Sequence, residues 1–145
     1  MSKTEIFFED IQPVKLHKPH IKNAIKKLIN KELKLSGDLS IILCSDNYLL
    51  NLNIEYLHHN YFTDIITFNY VEGNKISGDL FISIERIKEN SEIFETSWIK
   101  ELYRVIFHGV LHLIGYNDKT DNETRAMREK EDLYLSEVDF SEIEI

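Results

Sequence analysis

The sequence predicts an α+β domain: a mixed four-stranded sheet packed with about five helices. Three observations predict it. Apolar runs of strand length at residues 4–8, 39–44, 63–70 and 76–84 are separated by stretches whose apolar residues recur every three or four positions. The last two runs are joined only by V-E-G-N-K, residues 71–75, the span of a hairpin turn, so that pair is antiparallel. Strand and helix patterns do not alternate as regular βαβ units along the chain, which argues against an all-parallel sheet. A length of 145 residues with 43% hydrophobic and 29% charged side chains fits one domain, residues 1–145, with a single core.

The elements follow in order. T-E-I-F-F, residues 4–8, is a first strand. Pro19 stands near the start of a helix whose Ile21, Ala24, Ile25, Leu28 and Ile29 share one face, and Ser36-Gly37 is expected to end it. L-S-I-I-L-C, residues 39–44, is apolar and β-branched, which suits a buried strand. Asp46 is placed to cap a second helix carrying Leu49, Leu50, Leu52 and Tyr56. A polar loop over residues 58–62 leads into strands 63–70 and 76–84. Beyond these the pattern is helical: a short helix over 84–94 and a long, mostly buried one over 97–114. The capping box Thr120-x-x-Glu123 then opens a charged helix to about Ser136. The end of the chain, from Asp139, is expected to fray.

Bulk charge excludes one function class. A net charge of −8 does not suit a general nucleic-acid binder, which is usually basic. The charge is uneven, however. Lys15, Lys18, Lys22, Lys26, Lys27, Lys31 and Lys34 fall in one stretch with a single carboxylate, Glu32. That surface either holds a polyanion or is simply the solvated side of an amphipathic helix. The one cysteine, Cys44, has no partner for an internal disulfide, no apolar run reaches the ~20 residues of a membrane span, and the N-terminus has no signal-peptide pattern. A cytoplasmic location is expected.

The chemistry concentrates in F-H-G-V-L-H-L-I-G-Y-N-D, residues 107–118. His108 and His112 are four apart, so both imidazoles leave one face of a helix. Gly115 can end that helix in a left-handed turn, and Asp118 follows from the loop. Three protein ligands with an open fourth position describe a catalytic zinc site rather than a closed structural one. Two imidazoles buried without a partner in so apolar a stretch would cost roughly 1–3 kcal/mol each, which a metal removes. The H-E-x-x-H metallopeptidase motif places its general base immediately after the first histidine. Here that residue is Gly109.

These residues carry a likeness. H-G-V-L-H-L-I-G-Y resembles the signature of the YbeY family, bacterial ribosomal RNA maturation factors described as single-strand endoribonucleases. His108, Gly109, Leu111, His112, Leu113 and Gly115 match it. Leu52-Asn53, Thr63–Phe68 and Gly78-Asp79-Leu80 are similar to the family's L-N, T-D-V-L-S-F and G-D-I elements. The resemblance implies a zinc-dependent single-strand endoribonuclease acting in 16S rRNA 3′-end maturation and ribosome quality control. It implies one Zn²⁺ per chain, in a site that other divalent transition metals also suit, and ribosomal RNA with ribosomal or assembly proteins as partners. Two rivals stand beside it: a metallopeptidase, and a non-catalytic assembly factor in which the metal only stiffens a turn.

The chain departs from the family pattern in three places. Asp118 stands where a third histidine is usual, Leu57 where an arginine is expected, and Thr67 where serine is common. Arg104, one turn before His108, is a substitute for phosphate contact, or else it pairs with Glu101 or another carboxylate. Asp64 either orients a ligand histidine through a hydrogen bond or caps the start of a strand. His58 and His59 are expected to be exposed loop residues. His17 and His20 are given no chemistry, and Trp98 and the tyrosines are expected in the core or at its rim.

Overall fold

Alternation along the strands decides how the layers stack. In the computed structural model, which describes residues 2–143, the strands are β1 (Thr4–Glu9), β2 (Leu35–Cys44), β3 (Ile65–Asn69) and β4 (Lys75–Ser83). They lie in the order β1-β2-β4-β3, with β1 and β4 parallel to β2 and β3 antiparallel to β4. Successive side chains of a strand point to opposite faces. Leu39, Ile41 and Leu43 of β2 and Leu80 and Ile82 of β4 therefore share one core with Ile21, Ile25, Val110 and Leu111. Cys44 and the half-buried Phe81 face the other way, toward Leu49 and Ile66.

The larger core is closed by α1 (Lys18–Lys31), α4 (Trp98–Ile114) and α5 (Asp121–Ser136). The smaller is closed by α2 (Asp46–Leu57), while α3 (Ile84–Ile93) packs on α4. Full burial of one such aliphatic side chain is worth about 2 kcal/mol, so the larger face anchors the sheet. Cys44 is fully buried, its Sγ 3.5 Å from the Ile82 carbonyl, and burial pushes its thiol up to about 12.

The structure corrects three expectations. Helix α1 ends at Lys31, and Ser36-Gly37 lies inside β2, at a register shift against β4. A Cβ on Gly37 would meet Ser77 Oγ at 1.9 Å and the Ile76 carbonyl at 2.8 Å. That glycine serves close strand approach rather than helix termination. Ser45, not Asp46, caps α2, its hydroxyl accepting the Tyr48 N–H at 3.1 Å. The final residues do not fray where they are described: Phe140–Ile143 form a 3₁₀ turn, with Ile143 buried and the Phe140 ring against Tyr103. No helix among the described residues is long and apolar enough to cross a membrane.

Candidate metal centre

Helix α4 is nearly enclosed, and its C-terminal turns carry the site. Leu111 and Leu113 are buried beside His112, while the two histidines are half-buried along the one open stripe. Gly115, at φ 126°, stops the helix, and the Tyr116 N–H reaches back to the Leu111 carbonyl at 3.0 Å. The chain turns sharply there and returns Asp118 to the histidines.

The imidazoles meet nearly edge to face, with Nε2 atoms 3.0 Å apart. Asp118 Oδ2 lies 3.3 Å from Nε2 of His108 and 3.4 Å from Nε2 of His112. The other ring nitrogens are already committed. His108 Nδ1 donates to Glu131 Oε2 at 2.8 Å, and His112 Nδ1 donates to the Tyr116 carbonyl at 2.9 Å. With hydrogens on both Nδ1 atoms, two Nε2 lone pairs and a carboxylate oxygen face one another, an arrangement that a metal cation or a proton between them satisfies. A tetrahedral ion with bonds of about 2.0–2.1 Å separates its ligand atoms by about 3.3 Å. The three donors have that spacing, and they are the group among the described residues suited to holding an ion. Burial alone would disfavour a charged His108. Hydrogen bonding to Glu131 and its charge, with Asp118 and Asp64 near, outweigh that and raise the histidine's affinity for a proton. The same negative field favours a metal ion.

Two depressions open on this point. One, of about 750 Å³, is lined by Leu57, Thr63, Thr67, Asn69, His112 and Lys119, among others. The second, of about 350 Å³, runs past Arg104, Arg128 and Glu131. Asp64, His108 and Asp118 border both.

The structure brings His108, His112 and Asp118 together, and of the two readings open for Arg104 it shows the pairing with carboxylates. Arg104 is committed to carboxylates, with Nη1 3.0 Å from Glu131 and Nη2 2.7 Å from Asp132, because its stripe of α4 faces α5. It is therefore not a free phosphate ligand. Asp64 makes no hydrogen bond to either ligand histidine among the described residues, since Glu131 and the Tyr116 carbonyl occupy both Nδ1 positions. Burial pushes its carboxyl above the usual carboxylate range. His58 and His59 are exposed, as expected.

Sequence reasoning missed Glu131, Tyr116 and Lys119. A signal for Glu131 existed: with Met127 and Tyr134 it forms the buried stripe of α5, a carboxylate where an apolar residue belongs. Among the described residues, Lys119 is the one lysine or arginine that lines the larger cleft.

Gly109 has a reason beyond helix propensity. A Cβ there would lie 2.7 Å from Ile65 Cδ1 and 2.9 Å from Leu80 Cδ2. Helix α4 presses on β3 and β4 at this point, and any side chain there would have to displace the ends of Ile65 and Leu80.

The family described as Endoribonuclease YbeY matches the chain over residues 6–139. The chain belongs to the YbeY family. It is 48% identical over 130 residues to the Endoribonuclease YbeY of Parabacteroides distasonis, an alignment covering 90% of this chain and 92% of that one. Against the Christiangramia forsetii protein of the same name, identity is 45% over 91% and 93% of the two chains. Among solved structures, the solution structure of TM1509 from Thermotoga maritima superposes with a TM-score of 0.67 at 26% identity, covering 97% of this chain and 91% of that one. These two relatives and that structure are thus matched along more than nine-tenths of their length.

Proposed function

We propose that the protein is a zinc-dependent, single-strand endoribonuclease that acts on ribosomal RNA, in 16S 3′-end maturation and ribosome quality control, within the cytoplasm and alongside ribosomal or assembly proteins. The observation that carries the reading is the triangle of His108 Nε2, His112 Nε2 and Asp118 Oδ2, which borders an open cleft of about 750 Å³. The family supplies the RNA substrate class.

Nitrogen and carboxylate donors at this spacing fit zinc, and one Zn²⁺ per chain would be held by these three residues. When bound, it supplies Lewis acidity toward a phosphodiester oxygen and lowers the pKa of water. The protein does the rest. Glu131 and the Tyr116 carbonyl hold both imidazoles in the one tautomer that can ligate. Asp64, bordering both depressions beside His108, is placed to accept the proton of the attacking hydroxyl. Lys119, next to Asp118, meets a phosphate of the strand in the cleft and takes the part that Leu57 cannot play.

The peptidase alternative lacks its base, because Gly109 stands where that motif has its glutamate. Replacement of His112 by alanine tests the enzymatic reading directly. RNA cleavage by the zinc-loaded protein should be lost while the circular dichroism spectrum and RNA affinity persist. Retained cleavage, or an unfolded variant from a parent inert on every RNA tried, would support a structural metal instead.

A further inference from the structure

Four of the five helices begin alike. Ser45, Ser83, Ser97 and Thr120 each accept a backbone N–H at the N-cap of α2, α3, α4 and α5, and each of those helices has a carboxylate in its first turn. Both devices satisfy or complement the exposed N–H groups and the positive end of the helix dipole. Helix α1 has neither. Its N-cap is His17, which makes no side-chain cap bond, its first turn has no acid, and its first residue is a lysine. Lys18, Lys22 and Lys26 follow one another at four-residue spacing, as do Lys27 and Lys31, so like charges repel along the surface.

Burial of Ile21, Ile25, Leu28 and Ile29 holds this helix down in spite of its outward face. Apart from Pro19, Asn23 and Asn30, every exposed residue of α1 is a lysine. The acid that follows α1 in the chain, Glu32, is turned inward and bonded to Tyr116, Tyr134 and Lys130. Lys31 pairs with Glu137, and no ion pair joins Lys22, Lys26 or Lys27 to a carboxylate among the described residues. A chain with net charge −8 thus keeps a cationic face at Lys22, Lys26 and Lys27, with Glu137 and Asp139 only at its edge, against its own helix stability. Departures from local consistency of this kind mark function.

We propose that the outward face of α1 is a docking surface for the phosphate backbone of RNA, separate from the cleavage cleft. Lysine and asparagine side chains bind phosphate oxygens without reading bases, so the contact is independent of sequence and sensitive to salt. It orients an acidic protein that would otherwise be repelled by RNA. The identity of the polyanion rests on the endoribonuclease reading; the surface itself does not.

The test uses the full chain and a fluorescein-labelled RNA hairpin with a single-stranded tail, titrated at several potassium chloride concentrations. In the variant Lys22→Gln/Lys26→Gln/Lys27→Gln, affinity near 0.1 M salt should fall roughly tenfold or more, and the slope of log K against log salt should shrink by about 2. Zinc affinity and cleavage of a short unstructured oligonucleotide should not change, because none of the three residues touches the metal centre. The arginine triple variant, which keeps the charge, should keep the parent's slope. An unaltered slope and affinity in the glutamine variant would overturn the proposal. So would a loss confined to polyglutamate binding, which would assign the face to an acidic protein. A parent that cleaves no RNA yet shows this change in slope would sink the nuclease reading and leave the docking surface standing.

Discussion

Helices α1 and α5 both lean on α4, yet they are built by opposite rules. Helix α5 opens with a complete capping box, in which Thr120 and Glu123 each satisfy the other's backbone, and with Asp121 in the same turn. Its buried stripe delivers Glu131 to His108. Helix α1 has an uncapped start and a lysine surface, and its buried stripe is wholly aliphatic. The difference shows where each helix does its work. One is tuned for rigidity because a ligand's orientation hangs from it, and the other gives up local stability for the charge it shows to solvent.

The largest effect expected on breaking this contrast is at Glu131. In the Glu131→Gln variant the charge that holds His108 is gone, and zinc affinity should drop about 10- to 100-fold. Competition with a chromogenic chelator measures it, and an affinity within twofold of the parent would remove α5 from the site. Next comes Glu32, where the end of α1 meets α5. Burial by itself pushes this carboxyl up, but hydrogen bonds from Tyr116, Tyr134 and Lys130, with the lysine's charge, outweigh it and hold the pKa below its ordinary 4.5. A depressed folded-state value stabilises the fold above pH 4.5, and that stability is lost as pH falls through the lower value. Glu32→Gln should therefore cost about 1.5–3 kcal/mol at neutral pH. Urea midpoints of parent and variant should converge on acidification.

The smallest effects set the two helix starts against each other. Thr120→Ala should cost about 1 kcal/mol, whereas His17→Asp should gain about 0.5 kcal/mol by supplying the acceptor and the negative charge that α1 lacks. Thermal melts of the two variants should move in opposite directions. A destabilised His17→Asp would mean that His17 does something its geometry does not reveal.

These contrasts also show what could be read in advance. The histidine pair, the Gly115 stop, the capping box and the β3–β4 hairpin are local, each set by residues within a few positions of one another, and each was legible. Contacts across long separations were not. Nothing near Arg104 in the chain announces Glu131 and Asp132, which only the packing of α4 on α5 brings within reach. The role expected of Asp64 fell to a backbone carbonyl at Tyr116, and carbonyls have no sequence signature. Ser36-Gly37 misled because a glycine required by a neighbouring strand is spelled like one that ends a helix. Lys119 was passed over because a lysine in a loop is ordinarily solvated, and only the fold places it in the cleft.

The tight seat of Gly109 has a consequence for descent. Acquiring the missing acid at this position would oblige the ends of Ile65 and Leu80 to repack beneath the helix that carries both ligating rings. A single glycine-to-glutamate change would therefore disturb the packing under the ligands at the same time as it supplied a carboxylate. The two chemistries are thus separated by a repacking of two aliphatic side chains as well as by one residue.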